Sequence, residues 1–432
     1  MMTDKIFTPE VPVLAPLFQG RSKEIKGLQQ SVMQIKNRGG LSTAFITGER
    51  GIGKSSFANH ICDVTLRNEQ IFCLYVSFSD LKSIEAMIEK ILDEILKKTY
   101  NGPLWASVKG FFKSIDSISI PGITFNLRPK KEELERISHN FPYVLSDLFL
   151  RIKEEYEGIG LILDDIDSLS ECPEFSPYIK GFVEEMTRAY KTTPLVLVLV
   201  GLPEVHDRLL DVQPSIGRIF DYIELNHLSK EESMIFFQKA FSLAGKRIET
   251  YFQSWLSDIA EGQPMFMHEI GKEICRIDSD GKIDHCDVMK GLVEVIKTFE
   301  NKNLKRELLP FLRSKYGVNM VRRIIEVKGD QFFFNPFTKK TSVPFSKKEI
   351  EKYLEFINLL KKDGILIPPT PGQYDPPDDM DYGSPEGVVG FSNSLYYLYF
   401  KIRIMESQWV QEPYNVYPGI DKNDFTDAIE KE

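Results

Sequence analysis

The sequence predicts an α/β fold: a P-loop parallel sheet with helices on both faces, followed by a helical lid and a winged-helix domain. Three observations predict it. Gly48, four spacer residues and then Gly53-Lys54-Ser55 form the Walker A pattern of a phosphate-binding loop. An apolar run over 158–163 ends in the acid pair Asp164-Asp165. Further apolar runs over 70–77, 194–201 and 222–225 alternate with helical patterns, as do the strands of a parallel sheet covered on both faces.

Ala44-Phe45-Ile46 reads as the strand entering the loop, and Phe57, Ile61 and Val64 have the spacing of a helix leaving it. Between them, Gly48-Glu49-Arg50-Gly51-Ile52-Gly53-Lys54-Ser55-Ser56 has the residue types that polyphosphate binding needs. Glycines let the backbone wind tightly, so that successive N–H groups point at one phosphate. Lys54 brings a point charge to the β- and γ-phosphates, and the Ser55 hydroxyl is a ligand for Mg²⁺. The expected cofactors are ATP and Mg²⁺, and the expected activity is ATP hydrolysis. Asp164, at the carboxyl end of a parallel strand, is placed to hold the metal through water. Asp165 is placed to orient or deprotonate the attacking water, and Asp167 reads as a plain helix cap. Ser229 and Glu232 form a capping box ahead of Ile235, Phe236 and Ala240, which opens the lid.

These signals divide the chain into a core over 1–228, with an insert at about 100–135, a lid over 229–299, a winged-helix-like domain over 300–405 and an acidic tail over 406–432. A length of 432 residues gives each of two or three such domains enough chain for its own core. A net charge of −9 argues against a basic nucleic-acid coat but leaves room for a local basic patch. The longest aliphatic run, 194–202, is too short to cross a bilayer, and the first residues hold no signal-like apolar region. A cytoplasmic protein without membrane contact is expected. Cysteines 62, 73, 172, 275 and 286 are odd in number and form no Cys-x-x-Cys pair, so reduced thiols are expected. Cys275, His285 and Cys286 lack a fourth ligand for zinc and read as thiols on lid helices.

The segment Leu14-Ala-Pro-Leu-Phe-Gln-Gly-Arg-Ser-Lys-Glu24, followed by Ile25 and Leu28, resembles the box ahead of the P-loop in STAND and origin-recognition-type ATPases. With it, residues 14–275, and less fully 300–405, resemble P-loop ATPases of the STAND/AAA+ group. The resemblance implies an extra strand between the two Walker strands, and adenine contacts from Phe18, Gly20 and Arg21. It implies that Arg218, before the last strand, is a sensor or finger arginine that stabilises charge on the γ-phosphate. That arginine acts in cis or across a subunit interface, with the closed-switch picture inclining to cis; a surface salt bridge is the bland reading. Pro264 of Gly262-Gln-Pro264 resembles the Gly-x-Pro of STAND lids, which sits near the nucleotide, although a helix punctuated by Gly and Pro reads equally well. Gly201 stands where AAA+ members usually have Asn or Thr, which puts sensor-1 chemistry in doubt.

The insert alternates between an amphipathic helix (Val108, Phe111, Phe112, Ile115) and a strand-like stretch at Pro121-Gly122. Lys109, Lys113 and Arg128-Pro-Lys-Lys131 make it a basic, aromatic patch open to DNA or a partner, against the commoner solvated face. Helices are expected at Leu304–Tyr316 and Lys347–Lys362. Two short apolar strands, Ile365-Leu-Ile and Val388-Val-Gly-Phe391, follow the second helix and read with it as a winged helix. Lys347, Lys348, Lys352, Lys361 and Lys362 permit DNA contact, opposed by Glu349, Glu351, Glu355 and an acidic loop. The resemblance implies a regulatory switch working with a protein effector, as in defence or signalling. Two alternatives stay open: a DNA-binding loader, initiator or transposition-type ATPase, and a nucleotide-locked scaffold. Oligomerisation is compatible with all three.

Overall fold

The apolar runs assemble into one 5-stranded sheet: β1 (Leu41–Thr47), β2 (Ile71–Ser77), β3 (Gly158–Asp164), β4 (Leu195–Val200) and β5 (Asp221–Glu224), in the order β2-β3-β4-β1-β5. Every pairing is parallel. The computed structural model describes residues 6–13, 15–114, 131–305, 308–312, 331–333, 356–367, 388–392 and 394–411. β3 and β4 are buried along their whole length, which is why their sequences run apolar without alternation. β5 is an edge strand, and its polar Asp221-Tyr-Ile-Glu sequence is largely exposed. β4 separates β1 from β3, as the resemblance implied.

Successive strand residues point to opposite faces and so build two apolar layers. Phe45, Leu161 and Leu197 join the layer beneath α3 (Ile84–Thr99), α6 (Phe141–Ile152) and α7 (Phe175–Arg188). Ala44, Ile162 and Val198 join the layer beneath α1 (Ser22–Arg38) and α2 (Lys54–His60). The remaining core helices are α4 (Trp105–Ser114), α5 (Lys131–His139), α8 (Pro203–Val212) and the short α9 (Ile216–Ile219). Val108 and Phe111 of α4 are buried, as its amphipathic pattern required. Pro121-Gly122 and Arg128 lie outside the described residues.

Two expectations fail next to the P-loop. α2 does not continue with a 3.6-residue period but passes into a π-helical turn, Ile61–Leu66. The wider turn rotates the register, so that Thr65 and Leu66 are buried and Val64 is only half-buried. The thiols are not all reduced either. Cys62 on that turn is joined to Cys73 on β2, their Cα atoms 5.4 Å apart, while Cys172, Cys275 and Cys286 are free.

The chain forms two compact units: residues 10–227, described above, and a second unit of residues up to 9 together with those from 228 onward. Residues 6–9 therefore pack with the lid, although a 1–228 boundary assigns them to the core. Phe7, 1% exposed, lies against Phe236, Phe241 and His268. The lid comprises α10 (Lys230–Leu243), α11 (Thr250–Ala260), α12 (Pro264–Ile277) and α13 (His285–Asn303). The Ser229 and Glu232 capping box is present, and Asp284 with Asp287 forms a second one at the start of α13. Leu304 ends α13 in an extended conformation, and the next helix, α14, spans Leu309–Leu312 rather than starting at Leu304. Residues 356–362 are helical; the expected 347–355 part of that helix lies outside the described residues. β6 (Gln331–Phe333), β7 (Leu366–Ile367) and β8 (Val388–Phe391) form an antiparallel sheet in the order β6-β8-β7. The last helix, α15 (Ser394–Gln411), is tied to α13 by the Tyr399 hydroxyl, which donates to Glu300 Oε1 at 2.9 Å. No helix among the described residues is long and apolar enough to cross a membrane.

Candidate functional site

The site is built where β1 and β3 end. After Thr47 the chain turns through Gly48, Gly51 and Gly53, all at positive φ (147°, 78° and 93°). A side chain at Gly48 would place its Cβ 2.7 Å from the Leu225 carbonyl oxygen and 2.9 Å from Ile52 Cγ2, so the loop closes only over glycine. Ile52 is buried and anchors the loop in the core. Lys54 opens α2, and its Nζ donates to the Gly48 and Glu49 carbonyls at 2.7 and 2.9 Å. Burial pushes the Lys54 ammonium below its ordinary range, against the pull of the Asp167 and Asp164 carboxylates. Arg50 is exposed at the tip, and the Glu49 carboxylate lies 3.9 Å from His227 Nε2.

Asp164 is 3% exposed and takes three donors. The Tyr75 hydroxyl donates to Oδ2 at 2.5 Å, the Asp165 N–H donates to Oδ1 at 2.9 Å, and the Ser55 hydroxyl also bonds it. Burial raises the Asp164 pKa, and these three bonds oppose that rise. Asp165 sits at φ 60°, half-buried, with its Oδ2 accepting from the Ser79 hydroxyl at 2.6 Å. Asp167 does not cap the turn that follows it. Its Oδ1 accepts the Leu202 N–H at 3.3 Å, fastening the start of α8 beside the acid strand, and burial raises its pKa. Gly201 precedes that contact, its own N–H donating to the Ile46 carbonyl.

The segment ahead of the P-loop docks on it. Arg21, left-handed at φ 64° and 8% exposed, donates from Nη2 to the Ile52 carbonyl at 3.2 Å. Gly20 is also at positive φ, and Phe18 stacks on His60 with ring centroids 4.0 Å apart. Ser56 Oγ accepts the Val13 N–H at 3.1 Å, so this residue ties down the chain before the box. Phe18, Gly20 and Arg21 therefore gather on the loop and on α2.

Arg218 does not join this group, and Pro264 belongs to the other unit. Arg218 is exposed on α9, where the Thr43 hydroxyl bonds the Ile219 carbonyl. β5 starts at Asp221, level with Ala44, three residues and roughly 10 Å short of the loop at Thr47. Arg218 is further back still, towards the amino end of the strands, whereas the loop lies at their carboxyl end. Pro264 starts α12 in the other unit, where the Gln263 side chain caps the helix by accepting the Phe266 N–H at 3.3 Å. Gly262 is at φ 74°, and a Cβ there would overlap the Leu228 carbonyl.

The hydroxyl of Ser55 beside the carboxylate of Asp164 is an all-oxygen donor pair, which suits Mg²⁺. Among the described residues no group of three or more His, Cys, Asp or Glu side chains could hold a metal ion. Tyr75, Asn59, Ser79 and the true role of Asp167 were missed in the sequence. Tyr75 and Ser79 become visible only through the register that sets Ser77 of β2 level with Asp164.

No protein-family model matches this chain, and no curated protein matches it. Among solved structures it is similar to a Walker-type ATPase of Pyrococcus abyssi, with a TM-score of 0.52 and 15% identity over 92% of this chain and 99% of that one. It is likewise similar to the ORC2 protein of Aeropyrum pernix in its ADPNP–ADP complexes, with a TM-score of 0.53 and 13% identity over 93% and 98% of the two chains. At such identities the likeness defines the fold. The chain shares with these structures an α/β P-loop fold built on a parallel 5-stranded sheet with helices on both faces.

Proposed function

We propose that this chain binds ATP with Mg²⁺ and hydrolyses it, and that the cycle works as a conformational switch read by a protein effector. The observation that supports this most is the meeting of Lys54 and Ser55 from one loop with Asp164 and Asp165 from another. The loop amides from Gly48 to Ser56 and the Lys54 ammonium would hold the β- and γ-phosphates, Lys54 exchanging two loop carbonyls for phosphate oxygens. Ser55 and Asp164 would hold Mg²⁺, which when bound neutralises phosphate charge. Asp165, steadied by Ser79, would orient the attacking water and take its proton. Phe18, Gly20 and Arg21 would receive the adenine, while Pro264 is kept as a contact on the resemblance alone. Arg218 would serve the γ-phosphate of a second copy, in trans. Titration calorimetry with ATP and phosphate release, on the wild type and on Lys54→Ala, test this reading. Wild-type protein that takes up no nucleotide would sink it.

A second reading is favoured by the likeness to the ORC2 protein and by Lys361 and Lys362, which lie on the helical stretch beside the antiparallel sheet. It makes residues 300–405 a winged helix and the chain a DNA-associated ATPase. Duplex binding with and without ATP separates the two readings, the salt slope counting phosphate contacts.

A further inference from the structure

We infer that Tyr75 is a positioning residue of the metal site, its phenol holding the Asp164 carboxylate in the orientation that Mg²⁺ needs. The inference rests on the ATP reading above. Tyr75 stands on β2 level with Ile162 of β3, two residues before the point where Ser77 pairs with Asp164. Its half-buried ring packs against the layer beneath α1 and α2. The hydroxyl donates to Asp164 Oδ2 at 2.5 Å and lies within hydrogen-bonding reach of the Ser55 and Asn59 side chains. Asn59 is one turn beyond Ser55 on α2, and its Nδ2 also donates to the Ser55 carbonyl at 3.1 Å. One phenol thus joins the serine of the P-loop to the acid of the third strand.

A carboxylate offers about four acceptor positions. Tyr75, Ser55 and the Asp165 N–H occupy three of them, which leaves Asp164 acceptor capacity for a metal-bound water. The terminal torsion of an aspartate is soft, so without these donors the group samples a broad range of rotations. Asp165 is part of the same backbone turn and Ser55 would turn a lone pair to the metal. Among the described residues, Tyr75 is the one that reaches the Asp164 carboxylate from a neighbouring strand. Had Tyr75 been apolar, Oδ2 would be buried without that donor, which costs more for a charged group than for a neutral one.

The test compares ATP affinity with excess Mg²⁺ and with EDTA, in the wild type and in Tyr75→Phe, by titration calorimetry on the full chain. The phenylalanine keeps the ring and removes one oxygen. The expected result is unchanged affinity in EDTA and a roughly ten- to hundred-fold smaller gain on adding Mg²⁺, the range for a lost hydrogen bond to a charged group. An equal Mg²⁺ gain in both proteins overturns the inference. So does a loss that is the same with and without the metal, since it would mean that Tyr75 supports the loop rather than the metal site. Wild-type protein that binds no ATP in either condition rejects the ATP reading itself, a distinct result. If Tyr75→Phe does not fold, Asn59→Ala, which removes the amide facing the phenol oxygen, carries the same prediction at smaller magnitude.

Discussion

Lys54 makes its described hydrogen bonds only to the Gly48 and Glu49 carbonyls, both of which belong to the loop it serves. Lys54→Ala is therefore expected to leave the fold intact and to abolish tight ATP binding, which calorimetry and thermal melting read side by side. Asp165→Asn keeps an acceptor for the Ser79 hydroxyl but cannot take a proton from water. It should retain Mg·ATP binding and turn over about 10² to 10⁴ times more slowly, as measured by phosphate release. His268 offers a test that nucleotide does not enter. It is buried beside Phe7, its Nδ1 accepts the Thr8 N–H at 3.0 Å, and burial lowers its pKa from 6.5 to about 4. The unfolded chain thus takes up the proton first. The neutral imidazole contributes fully above pH 6.5, and its contribution falls as the pH drops from there towards 4, by about 3 kcal/mol in all. Denaturant unfolding of the lid should show that loss, and His268→Asn, which lacks the titrating ring, should show much less of it.

Elements were the level at which the sequence was most legible. Four of the runs became strands largely buried on both faces, which need no alternation, and the fifth an exposed edge strand, while Ser229 with Glu232 marked the start of α10 correctly. Ser229→Ala should cost about 1 kcal/mol in the lid's thermal unfolding, the usual worth of such a cap. What the sequence hid were features set by neighbours in space. The π turn after α2 breaks the period that Val64 suggested, and Leu304 ends a helix where the pattern appeared to begin one. Asp167 was read as a local cap because its true partner, the Leu202 N–H, is 35 residues away. Tyr75 gave no signal because a tyrosine in a buried run looks like core until strand register brings it to Asp164.

At the scale of the molecule, the question is whether the active unit is one chain or several, and Arg218 decides it. The parallel sheet puts the P-loop at the carboxyl end of β1 and Arg218 before the amino end of the neighbouring β5, at opposite ends of the strands. Arg218 is exposed there. Arg218→Ala is expected to bind ATP normally and hydrolyse it poorly, since a finger acts on charge that develops only during the reaction. Mixing Arg218→Ala with Asp165→Asn should then restore phosphate release. At an interface between the two variants, the chain that lacks its arginine keeps Asp165 and receives the neighbour's arginine. A finger in trans is worth roughly 10³ to 10⁵ in rate, so even sparse mixed interfaces stand above the background of either variant alone. Rescue should grow with protein concentration, because it depends on association, and should be greatest near equal proportions of the two chains. If mixing gives no more than the average of the separate rates at any concentration, Arg218 serves no neighbour. The chain would then act as a closed, single-copy switch despite the end of the sheet at which this residue lies.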